Sequence, residues 1–127
     1  MNAIRTTRFV ALTFVLSAVA ALGAAAPARA DYAAIAYSPN SHSYGYSYGY
    51  ATQGGAELES LLRCDGDDAR VVVVAEDAYV ALAVGRNGAY GYAWGTSQDI
   101  AESIALQECL DNNGVVAHVV VSVYSGD

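Results

Sequence analysis

The sequence predicts an α+β domain made of two β-β-α-β repeats, forming a mainly antiparallel sheet with two helices packed on one side and a pseudo-twofold axis between the halves. Three observations carry that expectation. The chain repeats itself: Tyr44-Gly45-Tyr46-Ser47-Tyr48-Gly49 leads through Ala56-Glu57 to Cys64, and Tyr90-Gly91-Tyr92-Ala93-Trp94-Gly95 leads through Ala101-Glu102 to Cys109. The copies lie about 45 residues apart, a period typical of a repeated supersecondary unit. Several segments alternate with period two, and two others carry helical spacing.

In chain order, Tyr32 to Tyr37 reads as a short strand stopped by Ser38-Pro39-Asn40-Ser41, where the proline presets a turn. Tyr44 to Tyr50 alternates strictly, with four tyrosines on one face and Gly45, Ser47 and Gly49 on the other, so it is a strand. Thr52 to Gly55 reads as a flexible link. Leu58, Leu61 and Leu62 then recur at i, i+3, i+4 and predict a short amphipathic helix running out at Cys64-Asp65-Gly66. Arg70 to Ala75 holds four successive valines, whose branching at Cβ favours a buried strand. Glu76-Asp77 turns the chain into the second copy. There Tyr79 to Val84 and Ala89 to Trp94 are strands joined by Gly85-Arg86-Asn87-Gly88, with its Asn-Gly hairpin signature. Thr96 or Ser97 caps a helix from about Gln98 to Leu110, with Ile100 and Ile104 on one face. Asp111-Asn112-Asn113-Gly114 ends it, and Val115 to Val123 is the closing strand. The repeats are thus about 32–77 and 78–127.

Residues 1–30 read as a signal peptide. Arg5 and Arg8 form a positive start, Phe9 to Ala26 is an apolar stretch, and Ala28-Arg29-Ala30 is an A-x-A cleavage site, which makes Asp31 the expected mature N-terminus. Secretion, or delivery to the periplasm or cell envelope, follows. The remaining 97 residues suffice for one domain with one core. They lack Phe, Met and Lys, and keep only Arg63, Arg70 and Arg86 against all 13 carboxylates, a formal charge of −10. Such an acidic chain is repelled by phosphate backbones and anionic lipid surfaces, which argues against nucleic acid and peripheral membrane binding. No later stretch is long and apolar enough to span a bilayer.

The order Tyr32-Ala33-Ala34-Ile35-Ala36-Tyr37-Ser38, Tyr44-Gly45-Tyr46, Ala56-Glu57 to Cys64, Val80-Ala81-Leu82-Ala83, Tyr90-Gly91, and Ala101-Glu102 to Cys109 resembles the bacterial family of domain of unknown function 4189. The resemblance implies a secreted or periplasmic bacterial protein with no assigned activity. Many members carry further cysteines around the strands after the helices, where this chain has Ala69 and Ala78 or Tyr79.

Motifs for chemistry are sparse. Catalysis needs a nucleophile with a base in reach, a carboxylate pair or a metal cluster. His42 lies in a polar turn and His118 in the last strand, with no G-x-S-x-G nearby, so both read as structural and no catalytic residue is assigned. Asp65-Gly66-Asp67-Asp68 lacks the central glycine spacing and terminal Glu of a calcium loop and reads as a solvated turn. Two cysteines and two scattered histidines lack zinc spacing, so neither a metal nor a cofactor is expected. Cys64 and Cys109 end equivalent helices and, in an oxidising compartment, are expected to form an intrachain disulfide between the repeats; the alternatives are two buried free thiols or a bridge between chains.

One feature offers binding chemistry. Tyr44, Tyr46, Tyr48 and Tyr50 with Tyr90, Tyr92 and Trp94 make one broad aromatic surface if their strands share a sheet, suited to stacking on sugars or anchoring a protein. The competing expectation, favoured because the domain lacks Phe, is that these rings are the core with Tyr50 and Tyr44 left outside. The function expected is therefore a non-enzymatic exported protein that engages a protein or cell-envelope component. The alternatives are a glycan-binding module using the Tyr/Trp strands, or an enzyme with an unrecognised site.

Overall fold

Alternating small and large residues decide how these strands stack. In the computed structural model, which describes residues 30–126, the order is β1 (Tyr32–Ser38), β2 (Ser43–Tyr50), α1 (Gln53–Leu62), β3 (Arg70–Glu76), β4 (Tyr79–Val84), β5 (Tyr90–Gly95), α2 (Gln98–Asp111) and β6 (His118–Tyr124). The expected signal segment lies outside the described residues, save Ala30. The α+β class and the two β-β-α-β halves are as the sequence predicts. The strands, however, form two antiparallel sheets of three, ordered β2-β1-β3 and β5-β4-β6, in place of one.

The reason lies in the central strands. On β1, Ala33, Ile35 and Tyr37 point one way; on β4, Val80, Leu82 and Val84 do the same, and these two rows meet with Val73 and Val121 in a fully apolar layer. Ile35, Tyr37, Val80 and Leu82 are completely buried, and each such side chain contributes about 1.5–3 kcal/mol. The opposite face of each central strand is nearly all alanine. Ala81 and Ala83 pack with Ala93 against Ala101, Ala105 and Cys109 of α2, and α1 covers the sheet of β1, β2 and β3. Because both faces of β1 and β4 are apolar, each sheet takes a sheet on one side and a helix on the other. The helices consequently occupy the two outer faces, which corrects the expectation that they share one side.

Both helices use small residues to get close. Gly45 and Gly91 lie directly under them: a methyl group at Gly45 would stand 2.6 Å from the Arg63 carbonyl carbon and 2.7 Å from the Cys64 nitrogen, and one at Gly91 would overlap Ala105 O and Cys109 N. Glycine permits that approach. The buried helix positions are Ala56 and Ser60 in α1 and Ala101, Ala105 and Cys109 in α2. Leu58 and Leu62 are exposed, as are Ile100 and Ile104, and Leu61 is half-buried, so two of the three leucines that predict α1 lie on its outer face. Thr52 caps α1, its Oγ1 accepting from the Gly55 N–H at 3.1 Å. The expected link over 52–55 is in fact the cap and first turn. Ser97 caps α2 in the same way at 3.3 Å.

The halves are stitched together at their ends. Ser125 accepts the Ala78 N–H on its hydroxyl at 2.9 Å, donates its own N–H to the Ala78 carbonyl at 2.9 Å, and accepts the Gly49 N–H on its carbonyl at 2.7 Å. At the other end the Tyr37 hydroxyl donates to the Gly88 carbonyl at 3.1 Å, and its ring lies 4.7 Å from that of Tyr90.

Candidate functional site

The two aromatic strands lie on opposite edges of the sandwich. β2 borders one sheet and β5 the other; β2 meets β6 and β5 meets β3 across the sandwich, and β2 and β5 do not touch. The condition for one broad aromatic surface, a shared sheet, is not met. The register explains where the rings go: Tyr46 pairs with Ile35 and Tyr92 with Leu82, so both rows sit on the inner faces. Being on edge strands, they project past the opposing sheet.

Tyr44, Tyr46, Tyr48, Tyr92 and Trp94 are exposed, Trp94 most of all at 57 %, while Tyr50 and Tyr90 are half-buried. This corrects the expectation that most of these rings form the core. Valine, alanine, Ile35, Leu82 and Tyr37 form the buried interior, with Tyr90 packed against its margin.

The edges differ in chemistry. On the first, Tyr46 and Tyr48 stack at 6.5 Å with 17° between planes. Beside them Arg63 of the α1 C-cap donates to Glu59 at 2.6 Å, so that carboxylate is paired. On the second, a shallow concavity of about 260 Å³ is lined by Val73, Tyr92, Ala93, Trp94 and Ile104. It adjoins another of about 310 Å³ between Ser103, Ile104, Gln107, Glu108 and Asp111. Glu108 accepts the Tyr92 N–H at 2.9 Å and Asn112 donates to the Tyr90 carbonyl at 3.0 Å, so α2 caps the outer backbone of β5. The Arg70 guanidinium sits 5.8 Å from the Tyr90 ring centre and donates to its hydroxyl.

Glu108 belongs to none of the sequence motifs, and Val73, Ile104 and Asp111 enter them only as strand, helix and turn positions. The signal lies in comparing the copies: at the positions of Glu59 and Arg63 in the first, the second has Ile104 and Glu108. An ion pair on one edge is replaced by an apolar side chain and an unbalanced carboxylate on the other.

The remaining candidates are structural. Cys64 and Cys109 are free thiols, each buried, with Cys64 Sγ directed to the Ser43 carbonyl at 3.6 Å and Cys109 Sγ to the Ala89 carbonyl at 3.5 Å. The expected bridge between them is absent because their helices lie on opposite outer faces, with both sheets between. Burial raises both thiol pKa values, which keeps them protonated and weakly nucleophilic. Asp68, in the acidic turn, accepts from the Ser38 hydroxyl and from the Asn40 N–H at 3.0 Å. The Ser38 hydroxyl holds its carboxyl below the usual carboxylate range. That turn ties β1 to the start of β3. His42 is exposed at φ 60° against Gly88, and His118 is exposed at the start of β6. Among the described residues neither histidine hydrogen-bonds to a hydroxyl, thiol or carboxylate, and no three His, Cys, Asp or Glu side chains gather to hold a metal ion. No helix among them is long and apolar enough to cross a membrane.

Comparison with curated proteins and with solved structures finds no match. The family model described as a domain of unknown function (DUF4189) matches residues 32–123, which takes in both repeats from the start of β1 to the penultimate residue of β6. On that match the chain belongs to the DUF4189 family.

Proposed function

We propose that this protein is an exported, non-enzymatic binding module that engages a protein or cell-envelope component through the β5–α2 edge. The observation that carries the reading is the placement of Trp94 and Tyr92, large rings that the core does not use, exposed side by side with Ile104. Exposed apolar groups gathered on one edge and rimmed by polar ones are typical of interaction sites. The isolation of both histidines from nucleophiles and carboxylates supports a role without turnover. Residues 1–30, with their A-x-A site, support export.

The test is capture on immobilised protein from the culture medium and envelope fraction of the producing cells. Trp94→Ala and Tyr92→Ala are expected to lose the captured component while keeping the wild-type melting temperature. Unchanged capture by both variants overturns the reading. Turnover of any substrate that His42→Ala or His118→Ala abolishes would establish an enzyme instead. The near-parallel Tyr46 and Tyr48 rings favour a second reading, glycan binding at β2. There, Tyr46→Ala and Tyr48→Ala abolish retention on a polysaccharide column, and retention by both variants excludes it.

A further inference from the structure

We propose that the β5–α2 edge recognises a cationic polypeptide segment in which lysine or arginine lies beside an apolar side chain. This rests on the binding role just given to that edge and names the partner's chemistry. Two adjoining concavities share Ile104 as their common wall. One offers the rings of Tyr92 and Trp94 with Val73, and takes an aliphatic or aromatic side chain. The other offers Glu108 and Asp111. Oε1 of Glu108 is engaged by the Tyr92 N–H and Oδ1 of Asp111 by the Gln107 amide at 2.9 Å, which fixes both carboxylates and leaves the second oxygen of each for an incoming donor.

Charge complementarity sets the sign of the partner. α2 carries Asp99, Glu102, Glu108 and Asp111 and no base. Arg70 of β3 is already held by Tyr90 of β5, so this edge seats a guanidinium within its own fold. A neutral glycan would leave the carboxylates uncompensated, and an anionic partner would be repelled. The first edge has the same backbone and similar rings, but its helix carries only Glu57 and Glu59, the latter paired with Arg63, so its net charge is −1 against −4 on α2. It is a built-in control.

Trp94 is the only tryptophan in the chain, so its emission reports on the site directly. Purified protein is titrated with acetyl-Leu-Lys-Leu-Lys-Leu-Lys-amide, with the same peptide carrying Glu for Lys, and with chitohexaose. The lysine peptide is expected to shift Trp94 emission saturably. The Glu108→Gln/Asp111→Asn double variant, which keeps an acceptor for the Tyr92 N–H, is expected to bind it about tenfold more weakly or worse. Tyr46→Ala is expected to bind as wild type. The proposal is overturned if the lysine peptide gives no saturable shift, if the glutamate peptide binds equally, if the double variant binds as wild type, or if chitohexaose alone saturates the signal. Should any of these occur while Trp94→Ala still abolishes capture from the native fractions, the binding role of the edge stands and only the partner chemistry falls. If Trp94→Ala and Tyr92→Ala both capture as wild type, the underlying reading has failed.

Discussion

Two glycines and one aspartate show how tightly single residues control this fold. Gly91 leaves no room for a side chain, since a methyl group there would meet Ala105 O, Cys109 N and, at 2.8 Å, the carbonyl carbon of Glu108. All three are helix backbone, which cannot move aside without lifting α2 from its sheet. Gly91→Ala is expected to destabilise by about 3 kcal/mol, and Gly45→Ala to behave alike. Gly54, in the first turn of α1, faces open space, and a methyl group added there would meet nothing within 4 Å, so Gly54→Ala is expected to stabilise by about 0.5 kcal/mol. Urea denaturation of the three variants checks this, and equal effects at Gly91 and Gly54 would refute the packing argument. Asp68 acts through its charge. Its folded pKa is depressed, first by the Ser38 hydroxyl, so the native state binds fewer protons than the unfolded chain. Its contribution is present above the ordinary aspartate range and is lost as pH falls through the folded value. The stability gap between wild type and Asp68→Asn should therefore begin to narrow below about pH 5 and go on closing as pH falls through the depressed folded value. A gap that stays constant over this range would mean that the carboxylate charge is not what ties the turn.

At the scale of elements, the alternating tyrosines, the valine run and the Asn-Gly turn place five of the six strands in the sequence to within a residue or two. The closing strand is the exception, beginning at His118 instead of Val115. Helix α2 was legible from its cap, and the existence of α1 from its leucines. What the leucines do not reveal is which face is inward, because Ala56, Ser60, Ala101 and Ala105 carry too little hydrophobicity to stand out beside Leu58 or Ile104. The deciding term is backbone approach over Gly45 and Gly91, to which hydrophobic spacing is blind. The same blindness separates the cysteines: their equivalence is plain from the repeat, but the side of the sheet each helix occupies is not. Thiol titration tests the outcome. The native protein at neutral pH is expected to react slowly, since burial raises both thiol pKa values, and the unfolded, unreduced protein should yield two thiols per chain. No thiol after unfolding would establish a bridge.

At the scale of the whole molecule, each half leaves its inner face bare without the other. The first half alone would expose Ile35, Tyr37 and Val73, which are buried only where they meet Val80, Leu82 and Val121. A fragment of residues 31–77 is expected to show no cooperative thermal transition by circular dichroism, and a sharp one would show that the halves are independent. The candidate site was partly legible at this scale. The aromatic rows are evident in the sequence, but their division between two sheets depends on both faces of β1 and β4 being apolar, a property spread over residues that carry no motif. That division also fixes valence. The rows of β2 and β5 stand on opposite edges with the width of the sandwich between them, so a ligand must span the domain to gain avidity from both. A separate partner on each edge would make the molecule a two-ended bridge, with the two rows free to diverge in what they hold.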